Sequence, residues 1–256
     1  MEKTVNDSIL FQSKQKFEKI AKENNLLDAN VSVFVKTLSP EEAIGNPGRR
    51  DFPIVTGRER VVEASFQDSC AHAFTDSPQE FNGKLSDVIS LTLEGNGQRA
   101  IFIATMNAVL KHLGIIDTTL HCKDEEPEKC AKEIASHVKH KPGSKTVGLI
   151  GLNPAIAEAL IDEFGPENVR INDLDPKNID TLKFGVKIGD GNNMTEKLVK
   201  ESDVVILTGT TLVNDTFEGI WKFIRQYGKD YLVFGVTSSG ICQLTGLNRI
   251  CPYGRK

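Results

Sequence analysis

The feature that most constrains this chain is the run at 146–152, TVGLIGL, in which every residue after the first is apolar or glycine. A strand with one wet face alternates polar and apolar side chains. A continuous apolar run of this length reads instead as a strand covered on both faces, the situation in parallel sheets flanked by helices. The residues that follow keep the same rhythm: a helix at 155–164, a strand at 169–174 (VRINDL), a strand at 203–207 (DVVIL), a helix from 216 to 227 and a strand at 231–236 (YLVFGV). Strands alternating with helices at this spacing predict βαβ units, and right-handed crossovers then give a doubly wound parallel sheet.

The first half has a different pattern. A helix is predicted over 7–22, followed by a strand in which Val31, Val33 and Val35 alternate with Ser32, Phe34 and Lys36. Residues 39–57 hold three prolines and three glycines and read as a loop. Strands at 59–66 and 71–74 suggest a hairpin, and a short helix follows at 85–93. The helix at 100–113, stopped by Gly114, is apolar almost all round and so is expected to be buried on most sides. A further helix spans 127–138 with Pro127 in its first turn, and the basic segment HVKHKPGSK reads as a linker. The expected fold class is α/β: an N-terminal α+β domain (1–118), a helix and linker (119–144), and a C-terminal doubly wound domain (145–256).

Composition narrows the function. The 31 Lys and Arg against 35 Asp and Glu leave a formal charge of −4 with no basic stripe, which argues against nucleic acid as a partner. The start, MEKTVNDSIL, has no basic segment leading into an apolar one, and the apolar runs fall short of the ~20 residues a membrane helix requires. No membrane association is expected, and a cytoplasmic location is. Five cysteines, an odd number without CxxC spacing, suggest reduced thiols.

Open parallel sheets bind ligands beyond the carboxyl ends of their strands. There the first strand runs into Gly151, Asn153 and Pro154. The G-x-G turn of a dinucleotide fingerprint is missing, yet the next helix start could still hold a phosphate or carboxylate; a plain strand–helix turn is the alternative. Asp173 and Asp175 end the second strand, 22 and 24 positions beyond Gly151, near where an acidic residue takes a ribose hydroxyl; a solvated carboxylate or helix cap would look the same. Thr208, Gly209, Thr210 and Asn214 follow the third strand, and Thr237 the fourth. In the first half, Glu94, Arg99 and Asn107 stand out: Glu94 as acid, base or metal contact, Arg99 for an anionic group, and Asn107 as a polar group in an apolar helix that needs a partner. A structural Glu94–Arg99 ion pair is the alternative. His72, near Cys70 and Asp76, could bind metal or be an ordinary, partly exposed histidine. Cys251 could be a buried thiol or a metal contact.

In combination, Thr56-Gly-Arg58-Glu, Ala73-Phe-Thr-Asp76, the 94–101 segment EGNGQRAI, the 104–108 segment ATMNA, and VGLIGLNP, INDLDP, ESDVVILTGTTLVNDT, FGVTSSG and CPYG resemble the DUF364/DUF4213 family of heavy-metal chelation proteins. The resemblance spans residues 55–254. It implies an enolase-N-terminal-like domain joined to a Rossmann-like domain, an active site in the cleft between them, and a role in making or handling a metal chelator. Two functions follow. One is an enzyme acting on a small molecule, with Glu94, Arg99 and Asn107 on one wall, the C-terminal rim on the other, and a nucleotide-like or S-adenosylmethionine-like cofactor or a divalent metal. The other is a non-catalytic binder of a metal ion or metal chelate, using residues such as Cys251, His72 or Asp76. A homo-oligomer is compatible with both; a purely structural oligomerisation module is the weakest reading, since it would not need so many polar strand ends.

Overall fold

The computed structural model describes residues 8–27, 32–57 and 59–256. The expectations at Asp7, Val31 and Arg58 lie outside the described residues.

Helix α1 (Ile9–Glu23) starts where the Ser8 hydroxyl accepts from the Phe11 N–H, and it buries Ile9, Ser13, Phe17 and Ala21, a strict four-residue stripe. Strand β1 (Ser32–Leu38) is followed by a short helix α2 (Pro40–Ile44) inside the segment expected to be loop. Ser39 and Glu42 close a reciprocal capping box there, with Pro40 in the first turn. Strands β2 (Arg60–Phe66) and β3 (Ser69–Thr75) form the expected hairpin, and β4 (Phe81–Lys84) runs into α3 (Leu85–Ile89). The four strands make an antiparallel sheet in the order β3-β2-β1-β4. Helix α4 (Asn96–His112) lies on it, buried throughout 99–110. Helix α5 (Glu126–Lys139) comes next.

The second sheet contains β5 (Val147–Ile150), β6 (Val169–Asp173), β7 (Leu182–Lys183), β8 (Val186–Asp190), β9 (Val204–Thr208), β10 (Asp230–Phe234) and β11 (Arg249–Ile250). Its helices are α6 (Pro154–Phe164), α7 (Thr195–Glu201), α8 (Thr210–Val213), α9 (Phe217–Gln226) and α10 (Ser239–Thr245). The order is β11-β10-β9-β5-β6-β8-β7, parallel except for the short β7–β8 pair. Numbered from β5, the six parallel strands run 3-2-1-4-5-6, the order of a doubly wound sheet.

Both faces of this sheet are buried. Val204 and Ile206 join Leu149, Ile171 and the helices α5 and α6 in one core. Val205 and Leu207, the alternate residues, join the other core with α4 and with Val62, Ala64 and Phe66 of the first sheet. Helix α4 is therefore wedged between the two sheets, and α1 packs on α10 across the same boundary. Gly148 is needed in β5 because a Cβ there would lie 2.4 Å from Leu198 of α7 and 2.7 Å from the Ser202 hydroxyl. Among the described residues, no helix is long and apolar enough to cross a membrane.

Candidate functional site

In this strand order the chain leaves β5 toward β6 on one side and returns with β9 on the other, so a crevice opens above the ends of β5 and β9. A cleft of about 680 Å³ lies there. One wall is the rim of the C-terminal sheet: Gly151, Asn153 and Pro154, then Asp173 and Asp175, then Thr208, Thr210 and Asn214. The facing wall comes from the 51–59 segment (Phe52, Ile54, Glu59), from the end of β3 (Phe74, Thr75, Asp76), and from His121.

The rim is held by its own hydrogen bonds. Gly151 turns the chain at φ +86°, and a Cβ there would sit 2.6 Å from the Thr208 methyl. The Asn153 side chain caps α6 by accepting from the Ile156 N–H at 3.1 Å. Asp173 accepts from the Leu152 N–H at 2.7 Å with one oxygen and from the Asp175 N–H at 2.6 Å with the other. Asp175 in turn accepts from the Lys177 N–H at 2.7 Å. The Thr208 and Thr210 hydroxyls are bonded at 2.9 Å, and Asn214 accepts from the Thr216 N–H and hydroxyl. Gly209 and Thr237 lie beneath the rim and do not line the cleft: the Gly209 N–H donates to Phe234 O, and the Thr237 hydroxyl accepts from the Phe74 N–H, tying β3 to the end of β10.

This bonding changes the reading of the α6 start. Pro154 has no N–H, Asn153 occupies the Ile156 amide, and the Asp173 carboxylate occupies the Leu152 amide. The groups expected to hold a phosphate or carboxylate are largely satisfied by the protein's own oxygens.

Glu94, Arg99 and Asn107 are absent from the cleft lining. Arg99 is buried, and its guanidinium donates to Val213 O (2.5 Å), Leu93 O (2.7 Å) and Asn96 Oδ1 (2.6 Å). It is a tie between α4 and the end of α8, not an open anion receptor. Asn96 donates to the Asp76 carboxylate at 2.7 Å, so Arg99 meets the cleft indirectly, through that relay and through Val213, which lines it. Asn107 is fully buried and donates to Val236 O and Thr237 O while accepting from the Gly240 N–H. It finds its expected partner, in a clamp between α4 and α10. Glu94 is exposed.

His72 is buried rather than partly exposed, and both its ring nitrogens are used: Nε2 faces Glu63 at 3.1 Å, and Nδ1 accepts from the His121 N–H at 3.1 Å. The His72 ring holds the Glu63 carboxyl below its usual range. Burial pushes the Cys251 thiol up to about 11, so it stays protonated. Among the described residues, no three His, Cys, Asp or Glu side chains converge to hold a metal ion. Asp76 does line the cleft. So does His121, which the sequence did not single out, since it stands in no motif and belongs to neither sheet. Burial lowers its pKa to about 4, against the opposing pull of the Cys122 carbonyl, so the ring is neutral. Asp51 on the lining is ion-paired with Arg49 at 2.6 Å, and Glu59, Asp76, Asp173, Asp175, Lys177 and Lys183 line the cleft as well.

The DUF364 family model, described as "Putative heavy-metal chelation", matches residues 134–246. No curated protein matches the chain. A DUF364-family protein of unknown function from Pyrococcus horikoshii has a similar structure, with a TM-score of 0.52 at 13% identity over 90% of this chain and 80% of that one. Another, from Desulfitobacterium hafniense DCB-2, gives 0.49 at 14% identity over 73% and 72%. At 13% identity the likeness to the Pyrococcus horikoshii protein concerns the fold alone. The family-model match over residues 134–246 falls on most of the doubly wound sheet and its helices, and over that stretch this chain is similar to the DUF364 family.

Proposed function

We propose that the cleft binds a small cationic molecule or a metal-bearing organic chelate, as a carrier site between a Rossmann-like domain and a DUF4213-type N-terminal half. The observation that carries this reading is the Asp173 carboxylate seated on the Leu152 amide. In a dinucleotide site that turn receives the ligand's negative charge. Here a protein carboxylate already fills it, which disfavours an anion at that turn. Phe52, Phe74 and Ile54 give the facing wall apolar area for an organic body. The family description, heavy-metal chelation, points to the same class of cargo. Of the two sequence-based readings, the carrier is favoured over the enzyme because Glu94, Arg99 and Asn107 are spent or stand outside the cleft.

Calorimetric titration of the full chain tests this with S-adenosylmethionine, its neutral product S-adenosylhomocysteine, NAD, and a cationic copper(II)–diethylenetriamine chelate. The expected result is saturable binding of a positive probe at least about tenfold tighter than NAD, a difference of about 1.4 kcal/mol. The Asp76→Asn variant should weaken it. Tighter binding of NAD, or no binding by any positive probe, would overturn the reading.

A further inference from the structure

A second, smaller cavity of about 220 Å³ opens between the 115–118 segment that follows α4, helix α10 and β11. Among the described residues it shares no lining side chain with the cleft. Arg249 of β11 lines it. A guanidinium carries five N–H groups. Three are used here: Nε donates to Gly235 O at 3.0 Å, Nη1 to the Thr118 hydroxyl at 3.0 Å and Nη2 to Thr118 O at 3.3 Å. All three acceptors are neutral. Among the described residues no carboxylate pairs with this guanidinium, whereas Arg49, Arg170 and Arg255 each meet one. Its positive charge is left unmatched in a recess, where attraction for an anion is screened less than on open surface.

The groups around Arg249 act in the same sense. The Thr118 hydroxyl accepts from Arg249, which leaves its own proton for a ligand. Gln243 brings a side-chain amide from the exposed side of α10. Burial pushes the Cys242 thiol up to about 11, so it adds no negative charge. The carboxylate on this lining, Asp117, is exposed and paired with Lys256 at 3.1 Å. We propose that this recess binds a small anion through a carboxylate or phosphate group, held by the two remaining N–H groups of Arg249 and the Thr118 hydroxyl, with Gln243 at the mouth. Guanidinium N–H groups in one plane match the oxygens of both anions. The volume lies below the roughly 300–1,000 Å³ of drug-sized sites, so the ligand is free phosphate or an acid whose short hydrocarbon body rests on Ile115 and Ile116. Thr118 follows α4, and Arg249 and Gln243 belong to the second sheet and its helix, so the bound anion bridges the two halves of the chain. The proposal does not depend on what the cleft binds.

Phosphate, butyrate and the neutral butyramide are the probes, each titrated into the full chain at constant ionic strength. Backbone-amide chemical shifts read both the affinity and the place. Phosphate or butyrate should bind saturably, with shifts centred on residues 115–118 and 239–249, and butyramide should not bind. Tighter binding of butyrate marks an organic acid as the ligand; tighter binding of phosphate marks the free ion. Gln243→Glu, at an exposed position where the fold tolerates a charge, sets a carboxylate at the mouth and should weaken the anion at least about tenfold. Arg249→Gln removes the charge and should weaken it further; if that protein does not fold, the Gln243 variant carries the test. Failure of both anions to bind saturably overturns the proposal. So does equal binding of butyramide, an affinity unchanged in Gln243→Glu, or shifts centred on residues 151–154 of the cleft rim.

Discussion

The two walls of the cleft are built on opposite principles. On the C-terminal rim nearly every polar group has a partner on the same wall: Asp173 on two amides, Asn153 on its own helix, Thr208 on Thr210, Asn214 on Thr216. On the facing wall the polar groups are anchored from behind and offer something forward. Asp76 is steadied by Asn96, and His121 by His72 and the Cys122 carbonyl. A saturated wall shapes a cavity and sets its charge. A wall anchored from behind keeps spare bonding capacity for a ligand at little reorganisation cost. The difference suggests that specificity lies on the N-terminal side, although the topology of the C-terminal sheet is what creates the crevice.

The strongest way to break this comparison is to cut the tie between the walls. Arg99 spans from α4 to the end of α8 with three charge-assisted hydrogen bonds. Hydrogen bonds to charged groups contribute about 1.5–3 kcal/mol each and do not add fully, so Arg99→Met should cost ~4 kcal/mol in urea-induced unfolding. A loss below about 1 kcal/mol would mean that Arg99 is not what joins the halves.

The next effect concerns the imidazole of the cleft. His121 titrates at about 4 in the folded chain against an ordinary value of 6.5. Above pH 6.5 the ring is neutral in both folded and unfolded chains. As pH falls from 6.5 toward 4, the unfolded chain takes up a proton that the folded chain refuses, so stability is lost through that window. The loss attributable to this group reaches at most ~3 kcal/mol. In His121→Leu the acid limb of stability against pH should flatten by that amount, and superimposable limbs would show that the ring is not neutral in place.

Much of the sheet was legible in advance because strands buried on both faces leave unbroken apolar runs: β5, β9 and β10 each contain one, whereas β6 alternates Val169 and Ile171 with Arg170 and Asn172. Strand β8 left no such mark, because Lys187 and Gly189 dilute Val186 and Ile188 to two apolar residues in five. In the site, polar residues at strand ends were readable because the topology fixes what strand ends do. The direction of Arg99 was not. Its partner Val213 lies 114 positions away, and a carbonyl leaves no trace in a sequence. Asn107 was readable as a group needing a partner, which it has in Val236, Thr237 and Gly240. His121 was invisible, since its tautomer is set by the adjacent carbonyl and its pose by His72 on β3, 49 positions earlier.

The smallest predicted effect tests whether the rim is scaffold alone. Asn153→Ala removes the side-chain oxygen that caps α6 and leaves the Ile156 amide without that partner. Losing such a cap costs about 1 kcal/mol, readable as a lower midpoint of thermal unfolding. If the rim only shapes the cleft, affinity for the copper chelate should stay within about twofold, which is ~0.4 kcal/mol. The freed amide also restores part of the anion-binding capacity of the helix start, so phosphate should compete for the cleft more effectively in the variant than in the wild type. A tenfold fall in chelate affinity at unchanged stability would invert the assignment. Asn153 would then be a direct ligand contact, and the two walls would share the work of recognition.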